Sequence, residues 1–202
     1  MKETRQKSTG TVKSDKAQKS RIGAIAARRS LRTDRKYPLV MIKLLEVLKM
    51  MKTAVIYATK TKHSKKLAEA ISLFLNTTAQ DIAKNPALDD VDLLFIVGGI
   101  YGGASMPELL AYIKTLEAPM PKYAALVTSC ASGSQRQIAV CNILEEKGVK
   151  VLDEFVCKGR ILFVSATHPN AKDLKAAIDF AQKIVAVECY HKSAVPNCKE
   201  MR

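Results

Sequence analysis

The sequence predicts an α/β fold: a doubly wound parallel sheet of five strands with helices on both faces, formed by residues from about Met51 onward. Three observations predict it. Short β-rich apolar runs alternate with segments whose apolar residues recur at helical spacing. The run Val91 to Val97 is almost continuously apolar, as in a central strand covered on both faces. The first strand passes into the first helix through a hydroxyl-rich loop, Thr59 to Ser64, and such sheets bind ligands at the carboxyl ends of their strands.

Taken in order, Thr53 to Ala58 reads as the first strand. Lys65 to Leu75 reads as a helix, with Leu67, Ala68, Ile71, Phe74 and Leu75 on one face. A brief second strand is expected at Thr78 to Ile82, after which Ala83 to Asp90 is too short for a full helix. The third strand, Val91 to Val97, ends at Gly98-Gly99. Ser105 to Glu108 has the S-x-x-E form of a capping box, with Pro107 where the first turn needs no N–H donor, so the next helix should run to about Leu116. Tyr123 to Ser129 is the fourth strand, and a helix from about Ser134 to Lys147 should stop at Gly148. Val149 to Val156, with Arg160 to Val164, supplies the last strand material. Asn170 to Val187 is the final helix, with Leu174, Ala177, Ile178, Ala181, Ile184 and Val185 facing inward. Parallel neighbours require crossover connections, which the intervening helices supply.

Charge divides the chain of 202 residues unevenly. Residues 1–50 carry 14 Lys and Arg against 4 Asp and Glu, a net of +10, whereas residues 51–202 carry 19 against 15, a net of +4. The basicity belongs mainly to the leader, so a bulk charge argument for nucleic-acid binding does not apply to the domain. Residues 1–36 offer few large apolar groups and are expected to be disordered. Residues 39–50 could form a short amphipathic segment, read functionally as a tether to RNA or anionic lipid. A second origin is equally open: Leu45-Glu46-Val47 can be encoded by a purine run of ribosome-binding type just upstream of Met50-Met51, in which case the leader is not part of the native product. Residues 51–190 are then the domain and 191–202 a C-terminal tail.

Five cysteines without C-x-x-C spacing and without a secretory leader favour a reduced, cytoplasmic protein and imply no zinc site. The longest apolar stretch near the start is interrupted by Lys43, Glu46 and Lys49 and is too short to span a bilayer.

Three loops can carry chemistry. Thr59-Lys60-Thr61-Lys62-His63-Ser64 runs directly into a helix, whose free N–H groups and positive dipole end suit a phosphate. Its three hydroxyls can donate hydrogen bonds, and Lys60, Lys62 and His63 add charge; ordinary Ser and Thr capping is the plainer alternative. The second loop is Ile100 to Ala104, and the third Cys130 to Gln135. Cys130 reads more simply as a packed residue than as a redox thiol, and His168 as a residue that opens the last helix.

The spacing Thr59-x-Thr61-x-x-Ser64, followed by helix and Ala68, resembles the FMN-phosphate loop of the flavodoxin family. Gly99 to Pro107 resembles that family's loop along the isoalloxazine edge, and Thr128 to Gly133 its third flavin loop. Cys157 to Arg160, followed by His168-Pro169-Asn170, is similar to the end segment of short flavodoxins. The resemblance spans about residues 52–187. It implies a flavodoxin-like sheet of strand order 2-1-3-4-5 and a noncovalent FMN. Thr59, Lys60, Thr61, Lys62, His63 and Ser64 would lie at the phosphate, and Ile100, Tyr101, Gly102, Gly103, Ser129, Cys130, Ala131, Ser132 and Gly133 at the ring, with no catalytic side chain and no metal. Tyr101 would stack on the ring, and a Gly102-Gly103 peptide would reorient to stabilise a semiquinone.

Two departures stand out: Lys62 and His63 replace the family's usual Gly or small polar residue and Asn, and the domain is basic where the family is acidic. The implied function is electron transfer, with a reductase and an acceptor enzyme as partners and no DNA or RNA for the domain. The rival readings are a small FMN-dependent reductase or oxidase acting on a quinone, porphyrin or bilin, and a non-redox module with a nucleic-acid-binding tail. An electron carrier is favoured over a stand-alone enzyme.

Overall fold

The computed structural model describes residues 51–159 and 168–193. The leader, the strand expected at Arg160 to Val164 and residues 194–202 of the tail lie outside the described residues.

Strand β1 (Thr53–Tyr57) leads into helix α1 (His63–Phe74), followed by β2 (Ala79–Asp81), a 3₁₀ turn (Ile82–Lys84) and the long β3 (Leu93–Tyr101). A two-residue strand β4 (Ala104–Ser105) precedes α2 (Pro107–Thr115). Then come β5 (Tyr123–Cys130), α3 (Ile138–Glu146), β6 (Lys150–Lys158) and α4 (Ala171–Ser193). The strands lie in the order β2-β1-β3-β5-β6, with β4 paired to β3. All neighbours along that path run parallel, and β4 is antiparallel to β3. With the short β4 set aside, this is the expected five-stranded order 2-1-3-4-5.

The apolar pattern explains the layers. Successive strand residues face opposite sides, so Ala54, Ile56, Leu94, Ile96, Ala124 and Leu126 join Leu109, Ile113, Val140 and Leu144 of α2 and α3 in one buried cluster. Val55, Phe95, Val97, Ala125 and Val127 are buried too, and α1 packs on β1, β3 and α4. Strand β3 lies between β1 and β5, and its residues Leu93 to Ile100 are all buried, which accounts for its near-continuous apolar run.

Local expectations are corrected in four places, the first at β3, which does not end at Gly98-Gly99 but runs through them to Tyr101, because both glycines stay paired with Thr128 and Ser129 of β5. Ser105 does not cap α2: its backbone is committed to Ile100 of β3, and the cap is Met106, which makes no side-chain cap bond, followed by Pro107. Helix α3 starts at Ile138 rather than near Ser134, because Ser134 bonds Ser132 and Gln137 bonds into the sheet. Helix α4 runs on to Ser193, past Val187. Gly148, at φ 78°, ends α3 as expected.

Candidate functional site

The order β1-β3-β5 puts the three loops side by side. After β1 the chain moves outward to β2 and then crosses back to β3, so the crevice of a doubly wound sheet opens between the β1 and β3 ends. The strands keep register to their carboxyl ends, with Tyr57 opposite Val97, Gly99 opposite Ser129 and Ile100 opposite Cys130.

The first loop is anchored where the Ala58 N–H donates to the Val97 carbonyl at 2.9 Å. It then turns sharply into α1 through Lys62, whose φ of 64° and ψ of 5° are left-handed and whose side chain makes no cap bond. Such a conformation costs a non-glycine residue roughly 1–2 kcal/mol. Ser64 is 1% exposed. The Ser64 Oγ and Thr59 Oγ1 atoms are buried and have no hydrogen-bond partner among the described residues. His63, expected to add charge at the loop surface, is buried instead, at 8% exposure. On the β2 side the loop borders a cleft of about 320 Å³ whose lining includes Thr59, Lys60, Asp81, Met106 and Glu108. Burial, and then the Asp81 carboxylate, raises the Tyr57 hydroxyl above its ordinary pKa.

The second loop is not a loop over its full expected length. Ile100 and Tyr101 end β3, and Ala104–Ser105 pairs back on them, leaving Gly102-Gly103 as a two-residue hairpin turn. Their φ values, 60° and 84°, are those of a type I′ turn, which Gly-Gly adopts without strain. Ile100 is buried, so it can offer a ligand only its backbone. Tyr101 folds back on its own strand: a side-chain carbon at Gly99 would stand 2.7 Å from Tyr101 Cε2, so only glycine admits this ring position. From there Tyr101 reaches the first loop. Lys60 Nζ lies 5.6 Å from its ring centroid, and Thr61 Oγ1 is 3.5 Å from its hydroxyl.

In the third loop, Ser129 and Cys130 belong to β5, and the turn proper is Ala131 to Gly133. Cys130 is 1% exposed, and its carbonyl accepts from the Gly133 and Gly159 N–H groups at 3.2 and 2.7 Å. Its Sγ lies 3.7 Å from Ser132 Oγ. Nearby, Cys157 is pushed up to about 12 by burial, with Asp173 adding to the rise, so it stays a thiol at neutral pH. His168 meets Asp173 at 2.6 Å, at the start of α4.

Sequence reasoning missed a polar network beneath this loop. Gln137, fully buried, donates from Nε2 to Thr128 Oγ1 at 2.8 Å and from its N–H to Glu154 Oε1 at 2.8 Å. Thr128 in turn donates to Glu154 Oε1 at 2.5 Å. A signal was present: Gln137 stands three and seven residues before the buried Val140 and Leu144, a polar residue on an apolar stripe.

Together these observations define a doubly wound α/β fold of flavodoxin type, with a hydroxyl-bearing loop between its first strand and first helix. Among the described residues no group of metal-ligating side chains occurs, and no helix is long and apolar enough to cross a membrane. No family model matches the sequence. The chain is 27% identical over 150 residues to an uncharacterized protein of Methanocaldococcus jannaschii, covering 67% of this chain and 99% of that one. Among solved structures it is similar to a flavodoxin from the domain Archaea, at 17% identity and a TM-score of 0.51, covering 70% of this chain and all of that one. A short-chain flavodoxin associated with a PDU bacterial microcompartment matches at 19% identity and a TM-score of 0.52, covering 72% and 100%. The rubredoxin oxygen:oxidoreductase of Desulfovibrio gigas matches at 16% and 0.53, over 75% of this chain and 40% of that one. At these identities the structural likenesses establish the fold.

Proposed function

We propose that this chain is an FMN-binding electron carrier that takes electrons from a reductase and passes them to a partner redox enzyme. The observation that carries the reading is the pair of buried hydroxyl oxygens, Thr59 Oγ1 and Ser64 Oγ, that have no partner among the described residues and lie beside the N-terminus of α1. An unmet buried polar group costs about 1–3 kcal/mol, and a phosphate with several acceptor oxygens would remove that cost. Helix N–H groups and the dipole favour the same occupant, so the residues present fit the group.

Thr59, Thr61 and Ser64 would hold the phosphate through hydroxyl and backbone donors, with Lys60 and Lys62 supplying charge. Backbone groups of residues 100–103 and 129–133 would meet the polar edge of the ring, and Tyr101 would give it an aromatic face. FMN supplies the electron exchange, so the protein's part is to bind, orient and tune it. The carrier reading is preferred to a stand-alone reductase because, among the described residues, the second loop is only a two-residue hairpin and carries no inserted segment.

Titration of FMN with the full chain should quench flavin fluorescence to a one-to-one end point, and Ser64→Ala should weaken binding about tenfold or more. Wild-type protein that leaves the fluorescence unchanged would end the flavin reading. Rapid steady-state turnover of a quinone by the loaded protein alone would favour the enzyme.

A further inference from the structure

The two edges of the sheet carry charge in different ways. Along the amino edge both signs interleave: the Asp92 N–H donates to the Lys52 carbonyl at 2.8 Å, that of Tyr123 to the Asp92 carbonyl at 3.1 Å, and that of Lys150 to the Lys122 carbonyl at 3.1 Å. Lys52 also pairs with Asp90.

The carboxyl edge is basic towards the β5 and β6 ends, while at the β1 end Lys60 shares the β2-side cleft with Asp81 and Glu108. Lys60 and Lys62 follow β1, Arg136 precedes α3, and Lys158 ends β6 opposite Cys130, its Cγ lying 2.8 Å from where a side chain at Gly133 would begin. All four are exposed, and none forms an ion pair among the described residues. The nearby acids are otherwise disposed. Asp81 and Glu108 line the cleft on the β2 side, Glu154 is engaged with Thr128 and Gln137, and Asp153 is held by Lys183 at 3.1 Å. Ile138, beside Arg136, is 67% exposed.

Like charges around one opening repel one another, but they steer and orient a partner of opposite sign. An exposed apolar side chain among them is the kind of contact that a docked face covers. We propose that Lys60, Lys62, Arg136 and Lys158, with Ile138, form a docking rim for a protein with an acidic face, the redox partner of the flavin site. That the partner is a redox protein rests on the FMN reading; the charge pattern does not.

The test is calorimetric titration of the full chain with an oxidised plant-type [2Fe–2S] ferredoxin of acidic surface, at about 20 and about 200 mM salt, with and without FMN. The rim pair Arg136→Glu/Lys158→Glu should bind about tenfold more weakly at low salt and lose most of its salt dependence. The pair Lys122→Glu/Lys150→Glu makes the same change in net charge at the opposite edge and should stay within about twofold of wild type. Thermal unfolding of each pair confirms that it is folded.

Equal weakening by both pairs would show bulk charge at work and overturn the rim. So would a wild-type chain that does not bind the ferredoxin at low salt, or a rim pair that binds it like wild type. Polyuridylate is titrated in parallel. If the rim pair loses that ligand while keeping the ferredoxin, the surface is for nucleic acid and the proposal fails. Absent flavin quenching with rim-dependent binding intact would remove the FMN reading and leave the docking surface. Quenching without rim dependence would do the reverse.

Discussion

The loops after β1 and β5 sit at the same edge of the sheet and treat buried polar groups in opposite ways. Under the third loop, Thr128, Gln137 and Glu154 bond one another, and the loop carbonyl of Cys130 receives two N–H groups. In the first loop, Thr59 Oγ1 and Ser64 Oγ are buried with no partner among the described residues. The third loop is thus completed by its own chain, whereas the first holds donors in reserve. Gln137 Oε1, also without a partner among the described residues, is the exception within the third-loop network. Polar groups that satisfy each other build scaffold, while those that do not lower stability; in the first loop they are the groups that the proposed phosphate would meet.

The largest effect that would sharpen this contrast is expected from Thr128→Val. The substitution keeps shape but removes one hydrogen bond to Gln137 and one to Glu154, in a residue with no exposure. It should cost about 2–3 kcal/mol in urea unfolding with the denaturant slope unchanged. Ser64→Ala is the matching change in the first loop, and its sign is opposite. Without FMN it should raise stability by about 0.5–1 kcal/mol, because it deletes a buried hydroxyl that has no partner among the described residues. The same variant should lose FMN affinity by tenfold or more. A Ser64→Ala protein destabilised as much as Thr128→Val would break the contrast outright.

How far the sequence foretold this division depends on what each residue had to reveal. The sheet was legible because β3 is apolar throughout and β1 alternates between two buried faces, patterns set by the twofold period of a strand. The spacing of Thr59, Thr61 and Ser64 before a helix marked the first loop, since helix ends advertise free N–H groups locally. The hairpin at Gly102-Gly103 was visible as a glycine pair but not as a turn, because β4 is two residues long and exists only through its pairing with β3. The Thr128–Gln137–Glu154 network joins residues from three separate segments, and contacts of that range leave little in local spacing beyond one glutamine out of place on an apolar stripe. Ser105 carried a capping signal that tertiary pairing overrode.

A smaller effect is expected at Lys62, which holds the first loop in a left-handed turn. Lys62→Gly should relieve a strain of roughly 1–2 kcal/mol, offset in part by the greater chain entropy of glycine, for a net gain of about 0.5–1 kcal/mol. If the loop is shaped for an anion, FMN binding should survive this change with little loss apart from one charge. Thermal unfolding and flavin titration of the same variant read the two effects separately. A destabilised Lys62→Gly would mean that the lysine side chain, and not the backbone turn, holds the loop.

The smallest effect bears on the third-loop side, at Asp153, next to Glu154 on β6. Burial alone would raise its carboxyl, but the Lys183 ammonium, the Glu154 N–H and the more distant Arg136 together hold it below the ordinary value of 3.8. A carboxyl whose folded value is depressed stabilises the fold above its unfolded pKa and loses that contribution as pH falls through the folded one. Asp153→Asn should therefore be slightly less stable than wild type near neutrality, and the difference should close as pH falls below about 4. Because Lys183 is exposed and Asp153 only half-buried, added salt should shrink the gap. Stability curves against pH at low and high salt test this directly. An acid limb identical in the two proteins would mean that the surface pair adds nothing, and that the third loop is held by the buried network alone.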